Sequence, residues 1–492
     1  MIVLLLLSIL IILVYVYLNG KYNEYYWKKR GVPFYENNKV LGPYWDFLTG
    51  DRALFQLFYD IYQKYPNAPA VGIGSLVTPS LYVTDPKNVH AVMQTDFASF
   101  SDRGFVKNEG DLLADNILFI HGKRWKLMRQ NMTPLFTAAK LKNMYYIIDK
   151  SALDFVEYLK SNPDTWKRNT FDTLTTFCCA AIGAAVFGIG EQSTYDSPFL
   201  KITRAAFYPS WWGNIRFSIS NLSFTLFKLL NLKYFAEYER FFIGAIKQLL
   251  RQREQENTKR HDFADICIQI QRNGVMKDGE TGYELNPTDE LLAAQAFFFY
   301  TAGVEPTATA IFAVLIELGK HPEILKRAQN EIEDVYQKYN KQLTYDAISE
   351  MEYLDKVFNE SLRIFPPIGF LTRRCVRDTV LPVGNIKIEK GTKIYTAIYE
   401  LHHDPRYYEN PEVFDPERNL SDQKSEIYMP FGKGGRVCIG ARFAKLQAKA
   451  ALAHVLRNFD IKTVEHKGGL RFGKDQVQLR MKNVDIEFTP RN

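Results

Sequence analysis

The chain opens with an unbroken apolar run, Ile2 to Leu18, reading IVLLLLSILIILVYVYL. As a helix rising 1.5 Å per residue it spans roughly 25 Å, enough with its flanks to cross a bilayer core. Tyr15 and Tyr17 stand at one end, where interfacial aromatics belong. Lys21, Lys28, Lys29 and Arg30 follow the run and nothing basic precedes it. The asymmetry predicts an uncleaved transmembrane anchor over residues 1–20, with the bulk of the chain on the cytosolic side. A cleaved signal peptide is the competing reading, but the run lacks a basic start and a small-x-small cleavage site. Gly31, Pro33, Gly42 and Pro43 then punctuate 21–50, which reads as a basic, Pro/Gly-rich linker to a body at 51–492.

Within that body apolar residues recur at helical spacing over 51–64, 140–160, 236–256, 288–320, 322–338, 350–364 and 440–458. Pro366 and Pro367 close the 350–364 segment. Ala70 to Thr84 is Val-, Ile- and Leu-rich around a Thr-Pro-Ser turn and predicts a hairpin; short β-like runs, NIKI and TKIYTAI, lie within 370–400. The pattern predicts a mostly α fold with a minor β subdomain, without internal repeats. Ala205 to Phe235 is dense in aromatics, including Phe207, Trp211, Trp212, Phe217, Phe224 and Phe227. They read either as core or as a surface that touches a membrane and frames a channel.

Composition narrows the classes. At 492 residues, 46% hydrophobic and 24% charged, the chain can bury a large core and is not extensively disordered. The net charge of +7 has no concentrated basic tract with interleaved aromatics, which argues against nucleic-acid binding. The five cysteines, Cys178, Cys179, Cys267, Cys375 and Cys438, make an odd, sparse set that is no disulfide framework and fits a reducing compartment.

Two local stretches carry chemistry. In AGVEPTATA, Ala302 to Ala310, a proline follows an acid in the middle of a predicted buried helix. Pro306 removes one helix hydrogen bond at a cost of about 3 kcal/mol in an ordinary interior, so packing or chemistry must retain it. In MPFGKGGRVCIGARFA, Met429 to Ala444, Cys438 lies between a glycine-rich loop and a predicted helix whose positive end would favour thiolate. A nucleophilic cysteine needs a histidine base, and no motif supplies one. An axial ligand to haem iron needs only a stabilised thiolate in a water-poor niche.

Here the sequence resembles the cytochrome P450 family, whose haem-binding pattern Phe-x-x-Gly-x-Arg-x-Cys-x-Gly is matched by Phe431, Gly434, Arg436, Cys438 and Gly440. The resemblance covers almost the whole chain and implies haem b with Cys438 as its axial thiolate. Glu360 and Arg363 match the family's Glu-x-x-Arg, and Arg418 in FDPERN its locking arginine, although Asn419 stands where the family has Phe; all three are structural. Trp125 and Arg129 match Trp-x-x-x-Arg. With Arg373, Arg436 and Arg103 they are implied haem contacts, since arginine's fork suits a propionate.

The family's distal pattern aligns with Ala302, Gly303, Val304, Glu305, Pro306 and Thr307, so Pro306 replaces the usual threonine. The resemblance implies an acid and an alcohol that deliver protons toward dioxygen, here Glu305 with Thr307. The carbonyl of Ala302, deprived of a partner at Pro306, is expected to hold a water; the alternative is that Pro306 is simply a tolerated kink. Family positions place substrate walls at Phe105, Leu118, Phe119, Phe298, Phe299, Ala302, Ile368, Gly369 and Phe370.

The anchor, SDRGF, FTAAKLKNM and LTRRC look most like insect microsomal P450s that oxidise plant toxins and insecticides. That likeness implies a monooxygenase of the endoplasmic reticulum membrane, acting on lipophilic molecules. It also implies NADPH–cytochrome P450 reductase as donor, sometimes with cytochrome b5, docking on Lys123, Lys126, Lys433, Arg442 and Lys445. A hydroperoxide isomerase or dehydratase of the same fold, which dispenses with reductase and relay, and a non-catalytic haem sensor are the alternatives.

Overall fold

The computed structural model describes residues 2–76, 79–162, 169–187, 211–256, 260, 262–420 and 426–491. Phe207 and the rest of 205–210 lie outside the described residues.

Helix α1 (Ile2–Lys28) starts with the apolar run, whose described side chains are mostly exposed, from Val3 at 68% to Leu18 at 59%. Such a surface is stable only against lipid or another apolar partner. The helix continues beyond residue 20. Trp27 is fully buried, and Asn23 donates its amide to the carbonyls of Ser75 and Lys39. Residues 21–50, expected as a linker, therefore pack on the body. Phe34 bridges to Gly72, where any Cβ would collide with the Trp27 ring, and Tyr44 and Phe47 of a short helix at Pro43–Thr49 are buried. The proline and glycines mark tight turns along this packed path.

Among the described residues the largest sheet has four strands in the order β1-β2-β4-β3, from β1 (Ala70–Ile73), β2 (Ser80–Val83), β3 (Phe370–Arg374) and β4 (Lys393–Ala397). β1 pairs antiparallel with β2, β2 parallel with β4, and β4 antiparallel with β3, with Leu81 opposite Ile394 and Ile394 opposite Arg373. The alternation of a strand puts Arg373 on the face opposite Thr372.

Helices form most of the rest: α2 (Gly122–Met132), α3 (Ala138–Ser161), α4 (Thr170–Phe187), α5 (Trp211–Leu222), α6 (Ala236–Glu256), α7 (Asp289–Lys320), α8 (Glu352–Ile364) and α9 (Ala441–Asn458). The 32-residue α7 is the axis. Thr288 caps it by accepting from the amide of Leu291, and Asp289 and Glu290 complement its positive end. It packs on α4, α6, α8 and α9. Both α4 and α7 are long and apolar enough to span a membrane, yet both are buried inside the protein and make its core.

Candidate active site

The glycine-rich loop is built by close approaches. Gly434 has φ +66°, and a Cβ there would overlap the carbonyl oxygen of Met93; a Cβ on Gly435 would press on the Phe97 ring at 2.7 Å. Only glycine fits, and the chain is held so that the amide of Cys438 donates to the Phe431 carbonyl at 2.9 Å. Helix α9 begins at Ala441, three residues after Cys438. The Cys438 side chain is exposed, and it forms part of the wall of a cavity of about 470 Å³. Desolvation by the surrounding protein pushes the thiol pKa up, while the Gly440 N–H and the charges of Arg103 and Arg129 pull the other way.

Four guanidinium groups gather near the cysteine loop; Arg103, Arg129 and Arg436 line the cavity, whereas Arg373 lies behind them and does not. Arg129, on α2, donates to the Val437 carbonyl at 3.0 Å, and Arg103 to that of Arg436 at 2.6 Å. Arg373 is completely buried, with one nitrogen on the carbonyl of Thr372. Its Nε and Nη2, and the Nε of Arg103, are buried without a hydrogen-bond partner. Burial, reinforced by neighbouring guanidiniums, pulls Arg373 well below its usual pKa and Arg436 down to about 8; burial holds Arg103 at about 10. So much unneutralised cationic charge around an apolar cavity calls for an anion.

Arg436, expected as a haem contact, lines the cavity and also binds the backbone around it. Its three guanidinium nitrogens donate to the carbonyls of Ser101, Ile117 and Ile120 at 2.9–3.0 Å, and it lies 3.9 Å from the centre of the Trp125 ring. It ties the loop before α2 to the cysteine loop, and its charge still adds to the cationic rim.

The donor set tests what could bind. Among the described residues no group of three His, Cys, Asp or Glu side chains could hold a bare metal ion. A single thiol suffices only when the metal arrives in its own planar chelate. An apolar cavity, a single sulfur donor and buried unpartnered arginine donors fit a porphyrin carrying two carboxylates.

The cavity walls are aromatic. Phe105, Leu118 and Phe119 come from the loop before α2, Phe298, Phe299 and Ala302 from α7, and Ile368 and Phe370 from the segment entering β3; all line the cavity, as do Trp125, Arg129, Phe431, Arg436 and Gly440. Phe105 and Phe119 are 5.1 Å apart between ring centres, and Phe217 of α5 joins them from the other side. Gly369 does not line the cavity. A Cβ there would sit 2.6 Å from that of Phe55, so this glycine permits backbone packing.

On α7, Pro306 and Thr307 line the cavity, whereas Glu305 does not. The Glu305 carboxyl is turned to the other side of the helix, where Oε1 is 2.8 Å from Nη2 of Arg480. Burial raises its pKa to about 8 against the opposing pull of Arg480. Positions 305 and 307 are 200° apart on an ideal helix, which is why acid and alcohol cannot face the same way.

The family profile described as Cytochrome P450 matches residues 33–488. The chain belongs to the cytochrome P450 family. Among its relatives are cytochrome P450 6k1 of Blattella germanica, 32% identical over 93% of this chain and 91% of that protein, and cytochrome P450 6a2 of Drosophila melanogaster, 32% identical over 93% and 92%. Cytochrome P450 6B7 of Helicoverpa armigera is 30% identical over 94% and 96%. The protein is thus a P450 monooxygenase, and the family implies a haem-thiolate centre.

Below the cysteine loop of this P450, Arg363 grips Glu360 with Nε and Nη2, both at 2.9 Å, and reaches the His402 carbonyl at 2.8 Å. Arg418 approaches the same carboxylate at 3.1 Å through Nε. Of the candidate docking cations, Lys126 is paired with Glu280 and Lys445 with Asp355, while Lys123 and Arg442 are exposed and Lys433 is half-buried. Sequence reasoning missed Asn221, Gln476 and Gln478, which put polar groups in the P450 cavity wall. Their only signal was position in aromatic or turn-rich stretches.

Proposed function

We propose that this P450 inserts one oxygen atom from O2 into lipophilic molecules, including plant toxins and insecticides, using electrons from NADPH through the P450 reductase, with cytochrome b5 as an auxiliary donor. The observation that carries this reading is an aromatic cavity with the Cys438 thiol in its wall and arginine donors at its rim. Haem bound there supplies an iron centre that activates dioxygen, with electron donation from the thiolate. Cys438 would bind the iron through its sulfur, Arg103, Arg129 and Arg373 would hold the carboxylates, and Phe431 lines the same cavity. Arg436 and Trp125 fix the surrounding loops. The aromatic walls select for apolar substrates.

Proton delivery takes a modified form. Pro306 has no N–H for the carbonyl of Ala302, which accepts from an ordered water instead. That water links the Thr307 hydroxyl on the cavity face to the Glu305 carboxyl behind the helix, and Glu305, protonated near neutrality, donates a proton to it.

The protein is held at the endoplasmic reticulum membrane, facing the cytosol. The apolar start of α1 supports this, as do exposed Trp211 and Trp212 on α5 and exposed Leu229 and Leu230 nearby. Those residues answer to the membrane-facing reading of the aromatic stretch, while Phe227 is fully buried and answers to the core reading. Exposed Lys123 and Arg442 suit an acidic reductase surface.

The test is reductase-coupled turnover over a panel of lipophilic toxins with product identification. Absence of oxygenated product across the panel, with turnover of a fatty-acid hydroperoxide in the absence of reductase, replaces this reading with the isomerase. Pro306 favours that second reading and the retained Glu305 opposes it. Haem binding with neither activity leaves the sensor.

A further inference from the structure

The side of α7 away from the cavity carries a second polar feature. Thr309 lies one turn after Glu305 on the same face and is fully buried. A threonine inside a helix ordinarily returns its hydroxyl to the carbonyl four residues back. Thr301 of the same helix does so, donating to Phe297 at 2.9 Å, and Thr175 of α4 does so to Phe171. The Thr309 hydroxyl has no such bond, whereas the Glu305 carboxyl is held by an ion pair with Arg480 at 2.8 Å and by a hydrogen bond with the Gln478 side chain. Buried polar atoms in native proteins are nearly always satisfied, by protein or by ordered water.

The facing element is the loop Asp475–Arg480. Asp475 accepts from the amides of Val477 and Gln478 at 2.7 and 2.8 Å, and from Arg480 Nε at 2.7 Å. Arg480 and Asp475 are the charged groups that face Glu305, and Gln478 lies beside its carboxyl. The side-chain carbonyl of Gln478 is buried and unpartnered, while other atoms of the residue line the cavity. One loop thus touches both the cavity and the acid.

We propose that Thr309, Gln478 and Arg480 form the solvent-side half of the proton route, positioning Glu305 and the ordered water from which it regains its proton. This rests on the reading of Glu305 as the acid. Glu305 gives its proton to the water at Ala302 and takes one back through water held between Thr309 and Gln478, which passes on a proton from bulk solvent, so carboxyl and water both end each cycle as they began. Because Gln478 also lines the cavity, a bound substrate that moves this side chain changes the setting of the acid. The three residues are positioning residues; none touches the reacting atoms.

The experiment uses the full-length haem-loaded protein and the variants Thr309→Val, Thr309→Ser, Gln478→Leu, Arg480→Gln and Glu305→Gln. Two quantities are read: peroxide released per NADPH consumed, and the infrared titration of the Glu305 carboxyl, assigned by its loss in Glu305→Gln. Thr309→Val is expected to raise peroxide several-fold and displace the titration midpoint, Thr309→Ser to restore both, and Gln478→Leu and Arg480→Gln to displace the midpoint. Val is isosteric with Thr, so folding is preserved at that site. If Glu305→Gln raises peroxide while the Thr309, Gln478 and Arg480 variants leave both readings unchanged, the acid stands and this inference fails. If Glu305→Gln itself leaves peroxide unchanged, both fail.

Discussion

Arg418 reaches Glu360 at 3.1 Å on the carboxylate oxygen Oε1, which Arg363 also binds at 2.9 Å. The Glu360 and Arg363 side chains are no more than 1% exposed, so one carboxylate balances two cations away from water. Removing that carboxylate strands both guanidiniums. Glu360→Ala is expected to destabilise the fold by about 3–5 kcal/mol, the cost of breaking a buried pair. Chemical denaturation followed by far-UV circular dichroism checks this, and a loss below about 1 kcal/mol, typical of an exposed pair, contradicts it.

Gly434 is the tightest point of the cysteine loop. Its positive φ disfavours any other residue, and the Met93 carbonyl occupies the space a Cβ would need. Gly434→Ala is expected to displace the loop and with it Cys438. The purified variant should retain helical structure but carry much less haem per chain than the parent, measured by absorbance after pyridine extraction. Gly440→Ala, whose Cβ would meet the Phe136 ring at an ordinary 3.7 Å, should load haem nearly normally.

Such loops were legible because their chemistry is local. The spacing from Phe431 to Gly440 places glycines, arginine and cysteine in one short turn, and the long apolar period of 288–320 announces α7. Contacts between distant segments were not legible. Nothing near Glu305 names Arg480, which is 175 residues away, and nothing near Gly369 names Phe55. Arg436 satisfies a haem-binding pattern, but only the folded path of Ser101, Ile117 and Ile120 shows where its donors go. Residues 21–50 read as a linker because prolines and glycines mark turns in packed and unpacked chain alike.

Glu305 gives a pH signature of defined sign. Its folded pKa, about 8, lies above the ordinary carboxyl value of 4.5. The native state therefore binds the proton more tightly, and this group's contribution to stability is fully present below about 4.5 and lost as pH rises to about 8. Relative to the parent, Glu305→Gln should gain stability over that interval, on the order of 1 kcal/mol per pH unit at most, and then level off. Thermal melts of both proteins from pH 5 to 9 measure the difference. A difference independent of pH contradicts the raised pKa.

Pro306 separates helix mechanics from proton delivery. Pro306→Ala restores an N–H for the Ala302 carbonyl, so it should raise the melting temperature by relieving part of a penalty of about 3 kcal/mol. It also removes the acceptor for the proposed water and supplies no hydroxyl, so peroxide per NADPH should rise. Pro306→Thr supplies the hydroxyl and should bring peroxide back toward the parent value. Unchanged peroxide and product in both variants would make Pro306 a kink without a role in the relay.

The central claim is that Cys438 ligates haem iron as a thiolate. The difference spectrum of the reduced, carbon monoxide-treated full-length protein tests it most directly. The strongly red-shifted Soret band of thiolate ligation is predicted for the parent and its loss for Cys438→Ser. A parent spectrum lacking that band, or a red-shifted band that survives in Cys438→Ser, would contradict the account.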